Sequence, residues 1–460
     1  MTSVPQLGEI IKKVLQEAAD QAGKTTGFIK RVREFTGASF AQTMILGQMQ
    51  PGEVSLSDLS QFARHMKVNV SPQAIDQRLN EKTVSFFEEI LNAAFTQVVA
   101  ADPVAIPLLK RFSEVIVEDS STFSLPDILK DLWEGCGGKT FGTLSAFKVH
   151  VRWDLLNGAL TNIALGPGKL PDNKSPFKMN RRQRRSVRIA DLGYFDTLVF
   201  EQEHAAGEYW ISRVKVGNLL IFDEEGNRLD LPTFLAEHAV DHSYECFVQV
   251  SATRRLRARL IAFPVPEDVA VKRQADNARK AQRHSRKVNP TLQELAHWTL
   301  LITNIPSALL SAQEALILLR ARWQIELLYK LWKQYAQADT SRSEKPYHLL
   351  CDIYAKLIGM IIVHWLMIVG CWHIPNRSMV KAAKAIRHQV NLLARALNGR
   401  DDLNQVLQEI TEGLDRCCQN NRNKHPNTSQ LLSDPSSSYK RSSPVSSETG
   451  RSQPEVVGVT

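Results

Sequence analysis

A chain of 460 residues, 43% of them hydrophobic, has the length for roughly two to four domains and the apolar content to bury sizeable cores, which excludes a largely disordered protein. Its net charge of +9 favours a polyanionic partner, nucleic acid before an anionic membrane surface. Six cysteines, with no matching pair of Cys-x2-Cys spacings, argue against a zinc site or disulfide framework and fit a reducing compartment.

Residues 1 to about 105 read as helical, because apolar positions recur at helical spacing in Ile10, Ile11, Val14 and Leu15, and again in Phe86, Phe87, Ile90 and Leu91. The first twenty residues are amphipathic and lack the apolar core of a signal peptide. Between these helices, Ser57 is a candidate cap. After a turn at Lys67–Val70, Ser71 caps a second helix that starts on Pro72. With Gln73, Asp76, Gln77, Arg78 and Asn80 on it, the pair has the shape of a helix-turn-helix; a plain helical hairpin fits equally well.

From about 110 the pattern turns to strands. Glu114–Val117 leads to Asp119. Phe147–Leu155 and Ala159–Leu165 flank Asn157-Gly158, a strong hairpin signal, and Val187–Ile189 leads to Asp191. Residues 205 to about 290 carry strands of their own at Tyr209–Val216, Leu219–Phe222, Cys246–Val250 and Leu256–Phe263, as a β-rich insertion would. A charged helical stretch, Lys272 to Lys287, follows. The strand Trp298–Thr303 then precedes a helix from about Ala312 to Ala336. The apolar run Leu357–Trp372 is short for a bilayer span, holds His364 in its middle, and reads as a buried core helix. Beyond Gln419 the Ser, Pro and Asn-rich tail should be disordered.

On the helix near 326, Arg322, Glu326, Lys330 and Lys333 are spaced 4, 4 and 3 apart, which puts one carboxylate and three cations on a single face. In isolation that is a solvated salt-bridge stripe. Together with carboxylates at two strand ends, Asp119 and Asp191, it becomes a candidate hard-oxygen site for magnesium or manganese. Two such ions about 4 Å apart activate an attacking oxygen and stabilise the leaving one in phosphodiester displacement. Strand alternation turns Glu118 away from Asp119. Asp154 is expected to cap the hairpin turn and Asp196 the next helix.

These residues also resemble a known family. Arg322-Trp323-Gln324-Ile325-Glu326 with Lys330 and Lys333 is similar to the signature Tyr-x2-Arg-x3-Glu-x6-Lys of the insertion-sequence-four family of bacterial DDE transposases. Glu118-Asp119-Ser120-Ser121 resembles its first-aspartate motif, and Ala190-Asp191-Leu192-Gly193-Tyr194-Phe195-Asp196 its second. Ile211-Ser212-Arg213 and Trp298–Asn304 resemble two of its strands, so the likeness extends over roughly residues 110 to 370.

The resemblance implies an α/β fold. Its ribonuclease-H-like core, a mixed sheet with flanking helices, would be interrupted by the β-rich insertion and bounded by helical N- and C-terminal regions. The implied division is 1–105, a possible helix-turn-helix domain; 106–204, the first part of the core; 205–290, the insertion; 291–345, the core's second part; 346–418, a helical region; and 419–460, the tail. Asp119, Asp191 and Glu326 would be the catalytic residues and the ligands of two Mg2+ or Mn2+ ions.

DNA contacts are implied for Arg322, Lys330, Lys333 and Arg213, and base stacking for Trp298, whose competing reading is a core aromatic at a strand start. Leu319 stands where the signature has tyrosine, and leucine cannot make that residue's phosphate bond.

Three basic runs, Lys174–Arg188 with Arg181, Arg182, Arg184 and Arg185, Arg254–Arg259, and Lys272–Lys287, read as a DNA track rather than solvated faces. The expected function is a cytoplasmic, nucleoid-associated transposase, homodimeric on double-stranded DNA, away from any membrane. It would cut an element's terminal inverted repeats and join them to target DNA. A decayed or repurposed DNA-binding relative, or a nuclease that cuts without joining, are the alternatives.

Overall fold

The computed structural model describes residues 1–137, 144–216, 219–238, 243–283, 285–336, 343–419 and 428–434. Its centre is a nine-stranded mixed sheet in the order β3-β2-β1-β4-β5-β9-β8-β7-β6. The strands are β1 (Val115–Leu125), β2 (Ser145–Asp154), β3 (Leu160–Pro167), β4 (Val187–Ala190), β5 (Tyr209–Arg213), β6 (Ile221–Phe222), β7 (Tyr244–Val250), β8 (Leu256–Pro264) and β9 (Trp298–Thr303). β1, β2 and β3 form an antiparallel meander, while β4 and β5 add in parallel to β1. This mixed sheet with flanking helices is consistent with a ribonuclease-H-like core.

The β2–β3 turn is longer than two residues, because Leu155–Ala159 lie outside both strands. Gly158 is required there on two counts. Its φ is +79°, and a side chain would strike the Trp372 ring at 2.7 Å. Asp154, fully buried, accepts from the Val115 and Leu156 amides and so closes this turn, as its position in the sequence suggested.

The strands between β5 and β9 do not form a separate sheet. β9 pairs with both β5 and β8, so β8, β7 and β6 extend the core sheet edgewise. They have a second hydrophobic core of their own, in which Phe200 stacks on Trp210 at 4.3 Å among Leu235, Val248, Leu260 and Ile302.

The N-terminal helices are not a detached unit either. Pro346–Cys371, an almost wholly buried helix, packs against Gly37–Gln48 and Glu81–Phe95 in the same core as the first strands. Tyr354 Oη donates to Glu88, Gln16 donates to the Leu397 carbonyl, and Gly359 clears Met49, whose Cγ would lie 2.9 Å from an added Cβ. The apolar run around His364 therefore belongs to a core helix, with the His364 ring neutral beside the Gly158 carbonyl because burial pushes its pKa down to about 4. It is the one helix among the described residues long and apolar enough to span a membrane.

In the helix-turn-helix candidate, Ser55 rather than Ser57 caps Leu56–Phe62, because Ser55 has Asp58 three residues on and forms a capping box. Ser71 and Pro72 open the next helix as expected, but it ends at Asp76 after five residues. Asn80 already caps Glu81–Phe95, and Arg78 folds back over Phe35. Most of the expected tail lies outside the described residues, but Thr428–Ser433 is helical, with Leu432 buried.

Candidate active site

β1 and β4 run parallel with Glu118 opposite Ala190. One residue further along both chains stand Asp119 and Asp191, so strand register alone sets the two aspartates abreast at one end of the sheet. Asp191 is exposed, and the Asp119 side chain is only 15% exposed.

The third acid comes from a helix. Ser311 and Glu314 form a capping box that starts Ala312–Ala321. The chain breaks at Arg322, and Trp323–Ala336 carries Glu326 in its first turn. The expected helix from about Ala312 to Ala336 is thus present, interrupted only at Arg322, whose φ of −49° and ψ of −34° remain helical. Arg322 Nη1 donates to Asp119 Oδ2 at 3.2 Å and Nη2 to Glu326 Oε1 at 2.8 Å, which places one guanidinium between two of the three acids. One turn beyond Glu326, the buried Tyr329 hydroxyl donates to the carbonyls of Asp119 at 2.8 Å and Val149 at 3.2 Å, fixing the helix to the β1–β2 seam.

The electrostatics are unbalanced here. Burial pushes the Asp119 carboxyl up to about 6. The carboxylates of Asp191 and Asp172 push in the same direction, and the Ser120 amide and Arg322 only partly oppose them.

A groove of about 930 Å³ opens beside the acids, lined among others by Asp191, Arg213, Leu319, Arg322, Trp323 and Lys330. Arg213 ends β5, next to β4, and is exposed. Trp298 begins β9 at the same end of the sheet, half-buried against the second core, and its carbonyl accepts from Arg273 at 2.8 Å. Lys330 lies over the half-exposed Trp323 ring at 5.7 Å, and Lys333 over Phe123 at 5.5 Å. Leu319 is 6% exposed. It shares the groove with Leu431 and Leu432 of the C-terminal helix.

The basic runs are placed differently from a track along the acids. Arg181, Arg182, Arg184 and Arg185 precede β4, at the end of the sheet opposite Asp191. At about 3.3 Å per strand residue, Arg185 is roughly 20 Å from it. Arg182 is not a DNA contact at all, because its side chain is 5% exposed and ion-paired with Glu203 and Glu208. Arg181 donates to the Gln202 carbonyl, while Arg184 and Arg185 are exposed. In the second run, Arg259 is buried on Glu245, Arg257 pairs with Glu224, and Arg254 with Glu201. The third run lies as far as Arg283 on the helix Glu267–Arg283, which follows β8 at the acid end of the sheet, with Arg286 and Lys287 beyond it.

The chain matches the family model described as Transposase DDE domain over residues 110–362, a span that contains all three acids. It belongs to that family. Among its relatives is the transposase for insertion sequence element IS231B of Bacillus thuringiensis subsp. berliner, 23% identical over 442 residues, 91% of each chain. The transposase for IS1151 of Clostridium perfringens is 24% identical over 76% of this chain and 79% of its own. The putative transposase InsL for IS186A of Escherichia coli is 26% identical over 75% of this chain and 90% of its own. The protein is therefore an insertion-sequence transposase, a metal-dependent enzyme that cuts and transposes DNA.

The family implies a divalent cation, and the donor chemistry here fits one. Three carboxylates supply hard oxygens, and burial first, with the neighbouring carboxylates of Asp191 and Asp172 second, keeps Asp119 protonation-prone. The acids do not form a closed cage as placed. Glu326 is turned onto Arg322, and among the described residues no three acidic, histidine or cysteine side chains gather closely enough to ligate one ion.

Two further contributors, Tyr329 and Asp172, leave only weak marks in the sequence. Tyr329 had a faint signal, as an aromatic one turn after Glu326. Asp172 had another, as the only acid between Asp154 and Asp191.

Proposed function

We propose that Asp119, Asp191 and Glu326 are the catalytic metal ligands of this transposase, with two Mg2+ or Mn2+ ions bound when DNA is engaged. The observation that carries this reading is that both aspartates directly follow the paired residues Glu118 and Ala190 of β1 and β4, with Glu326 bridged to Asp119 by Arg322. The metal ions would supply activation of the attacking oxygen and charge stabilisation of the leaving one.

The chain's own part is positioning. Tyr329 holds the glutamate helix to β1. Arg322 would pass from the two carboxylates to a DNA phosphate, a stronger anion site that also frees Glu326 to turn toward the aspartates. Arg213, Lys330 and Lys333 would hold backbone phosphates along the groove, and Trp298 would offer its ring at the same end. The exposed Arg181, Arg184 and Arg185, at the far end of the sheet, would meet DNA only outside the cleavage site.

The substrate would be an element's terminal inverted repeats, cut and then joined to target DNA, with two subunits bridging two ends in the bacterial cytoplasm. The helical region 1–105 would recognise the repeats. Leu319, which lines the groove without a hydroxyl to offer a phosphate, supports a second reading, a DNA-binding relative with weakened end cleavage.

A plasmid carrying the two DNA segments that flank the gene separates the readings. Full-length protein with Mg2+ or Mn2+ should nick and release the flanked fragment, and EDTA should stop it. Binding of the same DNA with no cleavage in either metal would reject the catalytic reading.

A further inference from the structure

Asp172 belongs to none of the recognised motifs. It begins the short turn Asp172–Lys174 after β3. Its Oδ1 accepts from Ser120 Oγ at 2.6 Å and from Lys148 Nζ at 3.1 Å, and Ser120 is the chain neighbour of Asp119. Lys148 also donates to the Leu170 carbonyl at 2.6 Å, tying the carboxylate to its loop.

The other oxygen, Oδ2, lies against Gly193, two residues beyond Asp191. A Cβ built on Gly193 would meet it at 2.7 Å. Gly193 does not have a positive φ, so its backbone alone does not call for glycine. The space is reserved for a carboxylate held by two hydrogen bonds, which cannot swing aside freely.

We propose that Asp172 is a positioning residue that clamps the Asp119 segment and the Asp191 segment to each other, fixing the separation at which the two aspartates share a metal site. The proposal rests on the reading of Asp119 and Asp191 as ligands. Asp172 is not a third ligand here, since Oδ1 is engaged by Ser120 and Lys148 and Oδ2 is packed on the Gly193 turn. Asp172 acts through the residues next to the ligands rather than on the ligands themselves, and outer-shell partners that orient metal ligands change metal affinity by about 10–100-fold when lost. A salt bridge serving stability alone would leave that affinity unchanged.

The test is Mn2+ affinity of the full-length protein, measured by electron paramagnetic resonance titration, with thermal unfolding recorded alongside. Asp172→Ala should weaken Mn2+ binding by about 10–100-fold. Asp172→Asn, which keeps the shape and the Ser120 bond, should recover most of the affinity. Gly193→Ala should weaken binding by displacing the carboxylate, yet add no further loss in an Asp172→Ala background, where the space is open.

Additive losses from the two changes would mean the sites act independently and would overturn the clamp. Wild-type Mn2+ affinity in Asp172→Ala would do the same. An Asp119→Ala control that keeps full Mn2+ affinity would instead remove the ligand reading, and the clamp with it.

Discussion

Glu118 and Asp119 are consecutive residues of β1, and the pleat sends them into opposite electrostatic surroundings. Glu118 is buried on one face, ion-paired with Arg152 at 3.0 Å and bonded to Ser175. Beside it Arg188 and Arg182 share Glu203, and Arg182 also holds Glu208. Burial alone would push the Glu203 carboxyl up, but Arg188 and Arg182 outweigh it and hold it below the ordinary range. For Arg188, burial would lower the pKa, but the facing Glu203 raises it instead. At the other side of the strand, burial and neighbouring carboxylates leave Asp119 raised, with Arg322 as its ion-pair partner. The first region is a closed ion network that holds the loop before β4 against the sheet. The second holds a buried carboxylate whose charge burial disfavours and Arg322 only partly offsets, a group that a bound cation would stabilise. Buried charge marks function only where its partners do not balance it.

Removing the three acids of the site should have the largest effect. Asp119→Ala, Asp191→Ala and Glu326→Ala should each lower metal-dependent cleavage by roughly 10³-fold or more, since bound metals contribute several kcal/mol to the transition state. Band-shift affinity for the same DNA should be largely retained. Cleavage surviving in one variant would take that residue out of the site.

Changes in the closed network should act on stability instead. Glu203→Gln leaves buried Arg188 without its ion-pair partner, while Arg182 keeps Glu208, and should cost about 3–5 kcal/mol in denaturant unfolding. An unchanged midpoint would show that the network is not holding the fold.

A smaller effect with a defined sign comes from pH. The folded pKa of Asp119, about 6, lies above its unfolded value of about 3.9, so its ionisation opposes folding. That destabilisation is complete above pH 6 and disappears below about pH 4. Metal-free Asp119→Asn should therefore unfold at a higher temperature than wild type at pH 8 and at an equal one near pH 4. Equal melting at both pH values would deny the burial of charge at Asp119.

The smallest expected effects separate exposed from engaged cations. Lys330→Ala and Arg213→Ala should each reduce the slope of log affinity against log salt by about 0.9. Arg182→Ala should leave that slope unchanged while lowering the unfolding midpoint.

Much of this was legible in local sequence. Apolar runs ending in an acid located Asp119 and Asp191, and alternation alone turned Glu118 away. Short-range capping rules located Asp154, Ser71 and Asp196, whose side chain accepts from the Leu198 amide. What was not legible is set by contacts distant in sequence. A run of arginines does not reveal which members face carboxylates, so Arg182 read as a surface cation although Glu203 and Glu208 bury it. The pairing of β9 with both β5 and β8, which merges the insertion into the core sheet, joins residues far apart along the chain. Helical periodicity could not show that Asn80 starts a new helix and cuts the candidate recognition helix to five residues.

On the proposed mechanism, three carboxylates from two strands and a helix jointly hold the catalytic ions once DNA is bound. Anomalous diffraction from crystals of the DNA complex grown with Mn2+ tests it most directly. Manganese peaks should lie in direct contact with oxygens of Asp119, Asp191 and Glu326, with Arg322 turned onto a phosphate. Peaks ligated elsewhere, with Arg322 still bridging Asp119 and Glu326, would contradict it.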